Sequence, residues 1–290
     1  MLSQPENQNQ HTVPQVYLKQ WGYKAADGRW YIFTFDRKSH KLQEERVDGF
    51  SASVNIFDYP SGDPTEKRHF ETTAGKIEAR YQSVLNSITH QKGLNKLHED
   101  ILRHFTSSLV CRAEHHRKFF QEMLADEKVV DKILGEITML DDQDTPEMIK
   151  LAFTILEVEQ RLSLVQGIVT NHISRLLRSF RAVILKPFDI FKWFTSDNPV
   201  YINFQDDYNM IISVTTEIYL PLSPEYCLFI FHEKSEKREN PLRLLTPNKI
   251  HEIDGLIFDW ISKQLILTCH KLIIPQDMRG YMEEANHQMS

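Results

Sequence analysis

The sequence predicts an α+β fold in which N- and C-terminal antiparallel β regions meet around a central helical bundle. Three observations lead there. Aromatic and β-branched residues cluster in short runs towards both ends of the chain. Between about residue 72 and residue 180, apolar residues recur instead at helical spacing. No internal repeat and no long linker divides the chain, so a single domain over 11–277 is the simplest reading. Within it 11–71 reads as β-rich, 72–180 as helical and 181–277 as mixed. The polar residues 1–10 are expected to be disordered and residues 278–290 to form a flexible tail.

Each element has its own signal. After an Asp27-Gly28 turn, Arg29 to Asp36 and Lys41 to Val47 flank the polar link Arg37 to His40, which predicts a β-hairpin. Ile77, Tyr81, Val84, Leu85 and Ile88 form one helical stripe; Leu97, Ile101, Leu102, Phe105, Leu109 and Cys111 form another after a break at Gly93. Asp144-Thr145-Pro146-Glu147 reads as a helix start, with Asp144 able to cap and Pro146 tolerated in the first turn. That helix would carry Leu151, Ile155, Leu162, Val165, Val169 and Ile173 and continue past Leu176. Strand-like runs return at Ala182–Leu185, Ile211–Leu220 and Cys227–Phe231, with Pro221-Leu222-Ser223-Pro224 as a turn. A further helix is expected from Thr246-Pro247, with Ile250, Ile253, Ile257, Trp260 and Ile261 on one face, then a last strand around Leu265–Ile274.

Composition sets bounds on function. The 290 residues are 41% hydrophobic, enough for a sizeable core. A formal charge of -6 supplies no overall basic field for nucleic acid, although a local basic groove remains open. Cys111, Cys227 and Cys269 are widely spaced and odd in number, and read as free buried thiols of a reducing, cytoplasmic setting. The apolar runs fall short of the roughly 20 residues of a membrane span, and the first ten residues lack the pattern of a secretion signal. Gly-x-Gly-x-x-Gly, Walker, His-Glu-x-x-His and zinc-ribbon patterns are missing, which sets aside nucleotide-fold dehydrogenases, kinases and zincins.

Two polar motifs stand out. His11-Thr12-Val13-Pro14-Gln15-Val16-Tyr17-Leu18 and Thr195-Ser196-Asp197-Asn198-Pro199 each set ionisable or amide groups beside a proline that stiffens the backbone. Such a motif suits a site and equally suits a buried structural turn. His11 could act as base, acid or metal ligand, with Gln15 on its face if the segment is helical. Asp197 could orient an imidazole, bind a metal or accept a proton, or simply accept backbone N–H bonds in a turn. Arg112, His115, His116 and Arg117 form a charged cluster that would face an anion or solvent. Glu78, inside an apolar stripe, is a surface residue or a partner for Arg112 and His11.

These motifs resemble the N-terminal signature and later segments of the mainly bacterial group catalogued as domain of unknown function 4238. The resemblance runs through His11 to Lys19, Asn55-Ile56-Phe57, Ile77-Glu78, Leu109 to Arg117, Thr195 to Val200 and Pro221 to Pro224. Trp21 stands where the family often has phenylalanine, and Ala113-Glu114 where Thr-Pro often follows the arginine. The resemblance implies that His11, Gln15, Glu78, Arg112, Ser196 and Asp197 belong to a recurrent polar set. It implies no reaction, cofactor or substrate.

The expected function is a hydrolase, most plausibly a phosphodiesterase or nuclease acting on nucleic acid or another phosphate-containing ligand. His11, Glu78 and Asp197 would be catalytic, holding a divalent ion (Mg or Mn) if the reaction uses one, while Gln15, Arg112, Ser196 and Asn198 contact substrate. Two alternatives stay beside it. One is a non-catalytic module that binds an anion or nucleotide through Arg112, His115 and Arg117. The other is a structural or interaction protein whose polar motifs only brace the junction of the β regions.

Overall fold

Strand alternation and helix periodicity divide the molecule into layers. The computed structural model describes residues 7–59, 61, 63–91, 93–126, 128, 130–131, 158–188, 190–203, 212–234 and 240–280. The N-terminal elements are β1 (Asn9–His11), α1 (Gln15–Leu18), β2 (Tyr23–Lys24), β3 (Trp30–Asp36), β4 (Lys41–Arg46) and β5 (Ala52–Val54). Helices follow: α2 (Pro64–Lys67), α3 (His69–Gln91), α4 (Lys96–Arg112), α5 (Glu114–Ala125) and α6 (Val158–Leu176). The remaining elements are β6 (Phe180–Pro187), β7 (Thr195–Ser196), β8 (Tyr201–Asn203), β9 (Glu217–Pro221), β10 (Cys227–His232), β11 (Ile250–Ile253), α7 (Gly255–Leu267) and β12 (Lys271–Ile274).

The architecture is α+β, and its two β regions do meet. β12 inserts between β3 and β7 in a sheet ordered β2-β3-β12-β7, with β4 paired along the opposite edge of β3. The 30–36 and 41–46 hairpin forms antiparallel with Phe33 opposite Glu44. Its preceding turn places Gly28 at φ 81, a conformation that glycine adopts without a Cβ penalty.

A second sheet, ordered β11-β6-β10-β9-β8, sits between two cores. Successive side chains on a strand point to opposite faces. Ala182 and Ile184 of β6, Ile218 and Leu220 of β9, and Leu228 and Ile230 of β10 therefore face the helices. There they join Tyr81, Val84 and Ile88 of α3, Leu102, Phe105 and Leu109 of α4, and Leu162, Val165, Val169 and Ile173 of α6. The intervening Val183, Leu185, Tyr219, Cys227, Phe229 and Phe231 pack with Trp193, Ile261 and Leu265 on the other face. All three cysteines are free and buried, with burial raising the thiol pKa of Cys111 and Cys269 to about 12.

Several expectations are corrected. Asn9 and Gln10, expected in a disordered stretch, form β1 against β5, and buried Gln10 accepts from Phe57 N at 2.7 Å and donates to Asp58 Oδ1 at 2.5 Å. Leu97 is 60% exposed, because the buried face of α4 runs through His98, Ile101, Leu102 and Phe105 and leaves it on the opposite side. The Leu109–Arg117 run is two helices, broken where Ala113 adopts an extended ψ of 135. Ile250–Ile253 is a strand parallel to β6; the helix starts later, where Asp254 Oδ1 caps Ile257 N at 2.9 Å. Trp260 is consequently 40% exposed, and the last strand begins only at Lys271. Of the run Ile211–Leu220, Ile211 lies outside the described residues, Ser213, Thr215 and Thr216 form a hydroxyl-bonded turn, and β9 starts at Glu217. The expected helix start Asp144-Thr145-Pro146-Glu147, with Leu151 and Ile155, lies outside the described residues, as do residues 1–6 and 281–290.

Gly93 marks the break as expected, and the reason is contact: a Cβ there would lie 2.6 Å from the Asn248 carbonyl oxygen. The tightest join between distant segments is Tyr17. Its hydroxyl lies 2.5 Å from Thr195 Oγ1 and donates to the Pro221 carbonyl at 2.8 Å, inside a fully buried site. Tyr17→Phe leaves those buried groups without a partner and should lower unfolding free energy by about 1–3 kcal/mol, read by urea titration.

Candidate functional site

The first motif turns strand into helix. Pro14 stands just before α1 with an extended backbone, where its missing N–H removes no helical bond. Thr12 N donates to the Ser51 carbonyl at 3.0 Å and Val13 N to Ser51 Oγ at 3.2 Å, so the loop before β5 satisfies the peptide groups ahead of the proline. His11 Nε2 lies 3.1 Å from the Asp48 carbonyl and 3.3 Å from Gln15 Nε2. One ring nitrogen cannot serve both at once: protonated it donates to the carbonyl, unprotonated it accepts from the amide. Burial lowers the imidazole pKa, the Asp48 carbonyl opposes this, and the Arg112 charge adds to the lowering.

Arg112 joins this motif to the helices. It is 2% exposed. Its Nε donates to the His11 carbonyl at 3.1 Å, Nη2 donates to the same oxygen, and Nη1 donates to Glu78 Oε1 at 2.5 Å. Nη2 also lies 3.1 Å from Glu71 Oε1. The guanidinium sits 5.0 Å from the Phe57 ring centroid and 5.9 Å from that of Phe70. Glu71 is held above its usual pKa by burial, against the pull of Arg112. Arg112 thus spends its donors on one backbone carbonyl and two carboxylates, and Glu78 is its partner. Glu71 was missed, although its seven-residue spacing from Glu78 puts both on one helix face.

The second motif is a separate network. Ser196 is 1% exposed, and its Oγ accepts from Asn198 N at 3.1 Å. Asn198 Nδ2 donates to the Thr268 carbonyl at 2.9 Å. Asp197 accepts from His270 N at 3.1 Å, and its own N–H donates to the Lys271 carbonyl at 3.2 Å. Burial raises the Asp197 pKa, and the backbone N–H groups of His270 and Lys271 pull it back. The structure therefore groups His11, Gln15, Glu78 and Arg112 together, and Ser196, Asp197 and Asn198 together.

A cleft of about 930 Å³ opens beside α5, and Asp197 is the one member of the two networks that lines it. Thr12, Ser51, Ser53 and Asn55 line it from the N-terminal region, and Asp197, Lys271 and Glu45 from the sheet. Glu114, Arg117 and Lys118 of α5 also line it, with Asp58 nearby. Most of these charges are paired. Lys271 Nζ reaches Glu45 Oε1 at 2.8 Å, Lys118 Nζ reaches Glu114 Oε1 at 2.8 Å, and Asp58 lies 3.5 Å from Lys67 Nζ and 3.6 Å from Arg68 Nε.

Arg117 differs. Only 7% exposed, it donates to Gln166 Oε1 at 3.1 Å and to the Ile56 carbonyl at 3.3 Å, and lies 5.1 Å from the Phe57 ring centroid. Among the described residues no carboxylate pairs with it. Desolvation lowers its pKa to about 10. The side chain of His115 lies outside the described set. Among the described residues, no group of three or more His, Cys, Asp or Glu side chains is placed to hold a metal ion, and no helix is long and apolar enough to cross a membrane.

A family model matches residues 9–274, which takes in both networks and the cleft. The chain belongs to the family described as Protein of unknown function (DUF4238). No curated protein and no solved structure matches it. The family match begins at Asn9 and ends at Ile274, so β1, whose last residue feeds Arg112, and β12, whose partner strand leads to Asp197, are both inside it.

The Arg112 network yields two predictions. Arg112→Ala leaves two carboxylates and a buried carbonyl uncompensated and should cost about 3–5 kcal/mol in denaturant unfolding, whereas Gln15→Ala, at a half-buried position, should stay within about 1 kcal/mol. For His11 the folded pKa lies below 6.5, so the folded state binds fewer protons than the unfolded chain. Its contribution is intact above that value and is lost as pH falls through it. Wild type should therefore lose thermal stability relative to His11→Gln between about pH 7 and pH 5.

Proposed function

We propose that this chain is an anion-binding module whose ligand site is the cleft beside α5. One observation carries the reading: Arg117 lines the cleft, is nearly buried, and has no carboxylate partner among the described residues. A buried charge is normally paired, because leaving water costs several kcal/mol that a counter-ion offsets. The guanidinium is planar, keeps its charge at neutral pH and suits the oxygens of phosphate or carboxylate. Arg112, the other arginine of the cluster, has its donors engaged by His11, Glu71 and Glu78. The cleft volume falls in the range of small-molecule sites.

A second reading keeps the hydrolase. Asp197 lines the same cleft with a pKa that burial raises against the pull of the His270 and Lys271 N–H groups and of the His270 charge, and no Lys or Arg pairs with it, which favours it as the proton-transfer group. Release of nitrophenolate from bis(p-nitrophenyl) phosphate, with and without Mg or Mn, tests that reading; turnover lost in Asp197→Asn supports it, and no turnover by wild type removes it.

For the binding reading, titration calorimetry with inorganic phosphate should show saturable binding that weakens with salt. Arg117→Gln should weaken it at least tenfold, on the order of 1.4 kcal/mol or more. Its melting temperature should be unchanged or higher, since the variant removes an uncompensated buried charge. Equal affinity in wild type and variant would exclude Arg117 as the anion ligand.

A further inference from the structure

Arg117 is not the sole unpaired charge of the cleft. Seven ionisable side chains line it: Arg117, Lys118 and Lys271 are basic, and Glu45, Asp58, Glu114 and Asp197 acidic. Lys271 with Glu45, Lys118 with Glu114, and Asp58 with Lys67 and Arg68 are matched internally. What is left is one guanidinium, Arg117, and one carboxylate, Asp197, which hydrogen-bonds to backbone N–H groups and has no Lys or Arg paired to it, the nearest titratable cation being the His270 imidazole. They approach the cleft from different elements, α5 and the loop after β7, and form no ion pair with each other. A wall with one open positive and one open negative charge has the polarity of a dipolar ligand.

We propose that the ligand of this cleft is a small zwitterion, with its anionic group, phosphate or carboxylate, on Arg117 and its ammonium on Asp197. This rests on the binding reading above and narrows it. A polyanion is disfavoured, since the lining carries more acidic than basic side chains and a second phosphate would meet Asp197, Glu45 or Glu114. An anion lacking an ammonium leaves Asp197 desolvated behind it and unmatched. An ammonium at the other end converts that cost into a charge-assisted hydrogen bond. The hydroxyls and amide of Thr12, Ser51, Ser53 and Asn55 supply neutral polar contacts along the wall between.

The test compares matched pairs of probes on the full chain by calorimetry. Phosphoethanolamine and ethyl phosphate differ in the ammonium alone, as do β-alanine and propionate. At least one zwitterion should bind tenfold or more tightly than its amine-free partner. The pair that shows the gain identifies the anionic group as phosphate or carboxylate. Asp197→Asn keeps an oxygen for His270 N and should erase the gain, weakening the zwitterion and relieving the amine-free anion of the unmatched carboxylate; Arg117→Gln should weaken both members. Equal affinity within both pairs, or a gain that survives Asp197→Asn, overturns the zwitterion and leaves the anion site standing. If none of the probes binds, and phosphate does not, the anion site falls with it. The wild-type comparison within each pair decides the matter even if Asp197→Asn fails to fold.

Discussion

The fold depends on one guanidinium. Arg112 sits at the last turn of α4, yet two of its nitrogens donate to the carbonyl of His11, at the end of the N-terminal strand. The opposite side pairs with Glu71 and Glu78 of α3. A single buried charge thereby fixes the strand, the helix before it in the bundle and its own helix. Neutral side chains could not do this. A backbone carbonyl offers partial charge only, and two carboxylates brought together would repel; the cation makes each contact favourable and screens the acids from each other. His11 is held through its carbonyl, so its ring orientation follows from a bond that does not involve the ring.

That arrangement explains why two arginines five positions apart behave so differently. Had α4 continued, Arg112 and Arg117 would share one helix and similar surroundings. Ala113 instead adopts an extended conformation, α5 starts afresh at Glu114, and the chain changes direction between them. Arg112 points into acids and a carbonyl; Arg117 packs on Phe57, takes one amide and one carbonyl, and reaches the cleft without an acid. One arginine is structural because its charge is neutralised locally. The other carries free positive charge to a place where a ligand can meet it.

The sequence made the α+β class legible through aromatic and β-branched enrichment in runs such as Trp30–Asp36 and Cys227–His232 and helical spacing in Tyr81 to Ile88, and the meeting of the two β regions through the order of those stretches in a chain that no linker divides. It was less informative where one apolar run serves two elements. Ile250, Ile253 and Ile257 fit a helical face, but the first two are in a strand and only the third in α7. Spacing of three and four satisfies a helix, whereas the strand is created by the partner β6, which no local window contains. The candidate residues show the same limit. Gln15 beside His11 and Glu78 beside Arg112 could be read from spacing and charge. That Lys271 and Glu45 would neutralise each other while Arg117 and Asp197 would not depends on pairings across 226 positions of chain.

The contrast between matched and unmatched charge gives a physical way to separate brace from site. Both networks are buried, polar and rich in backbone contacts, so burial alone does not distinguish them. Charge balance does. The Arg112 network pairs its charge: the guanidinium donates to the His11 carbonyl and to Glu78 and lies against Glu71, so removing it strands two carboxylates. The cleft is open at two points of opposite sign, and at each the desolvation cost is offset only in part, by hydrogen bonds to neutral groups and, at Asp197, by the His270 charge. A fold selected for stability alone would close such points with a partner or replace them with apolar groups, as it has done around Arg112. Charges that stay open, beside a cavity large enough for a small molecule, are stabilised only when something else enters, which makes them a site and the closed network its support.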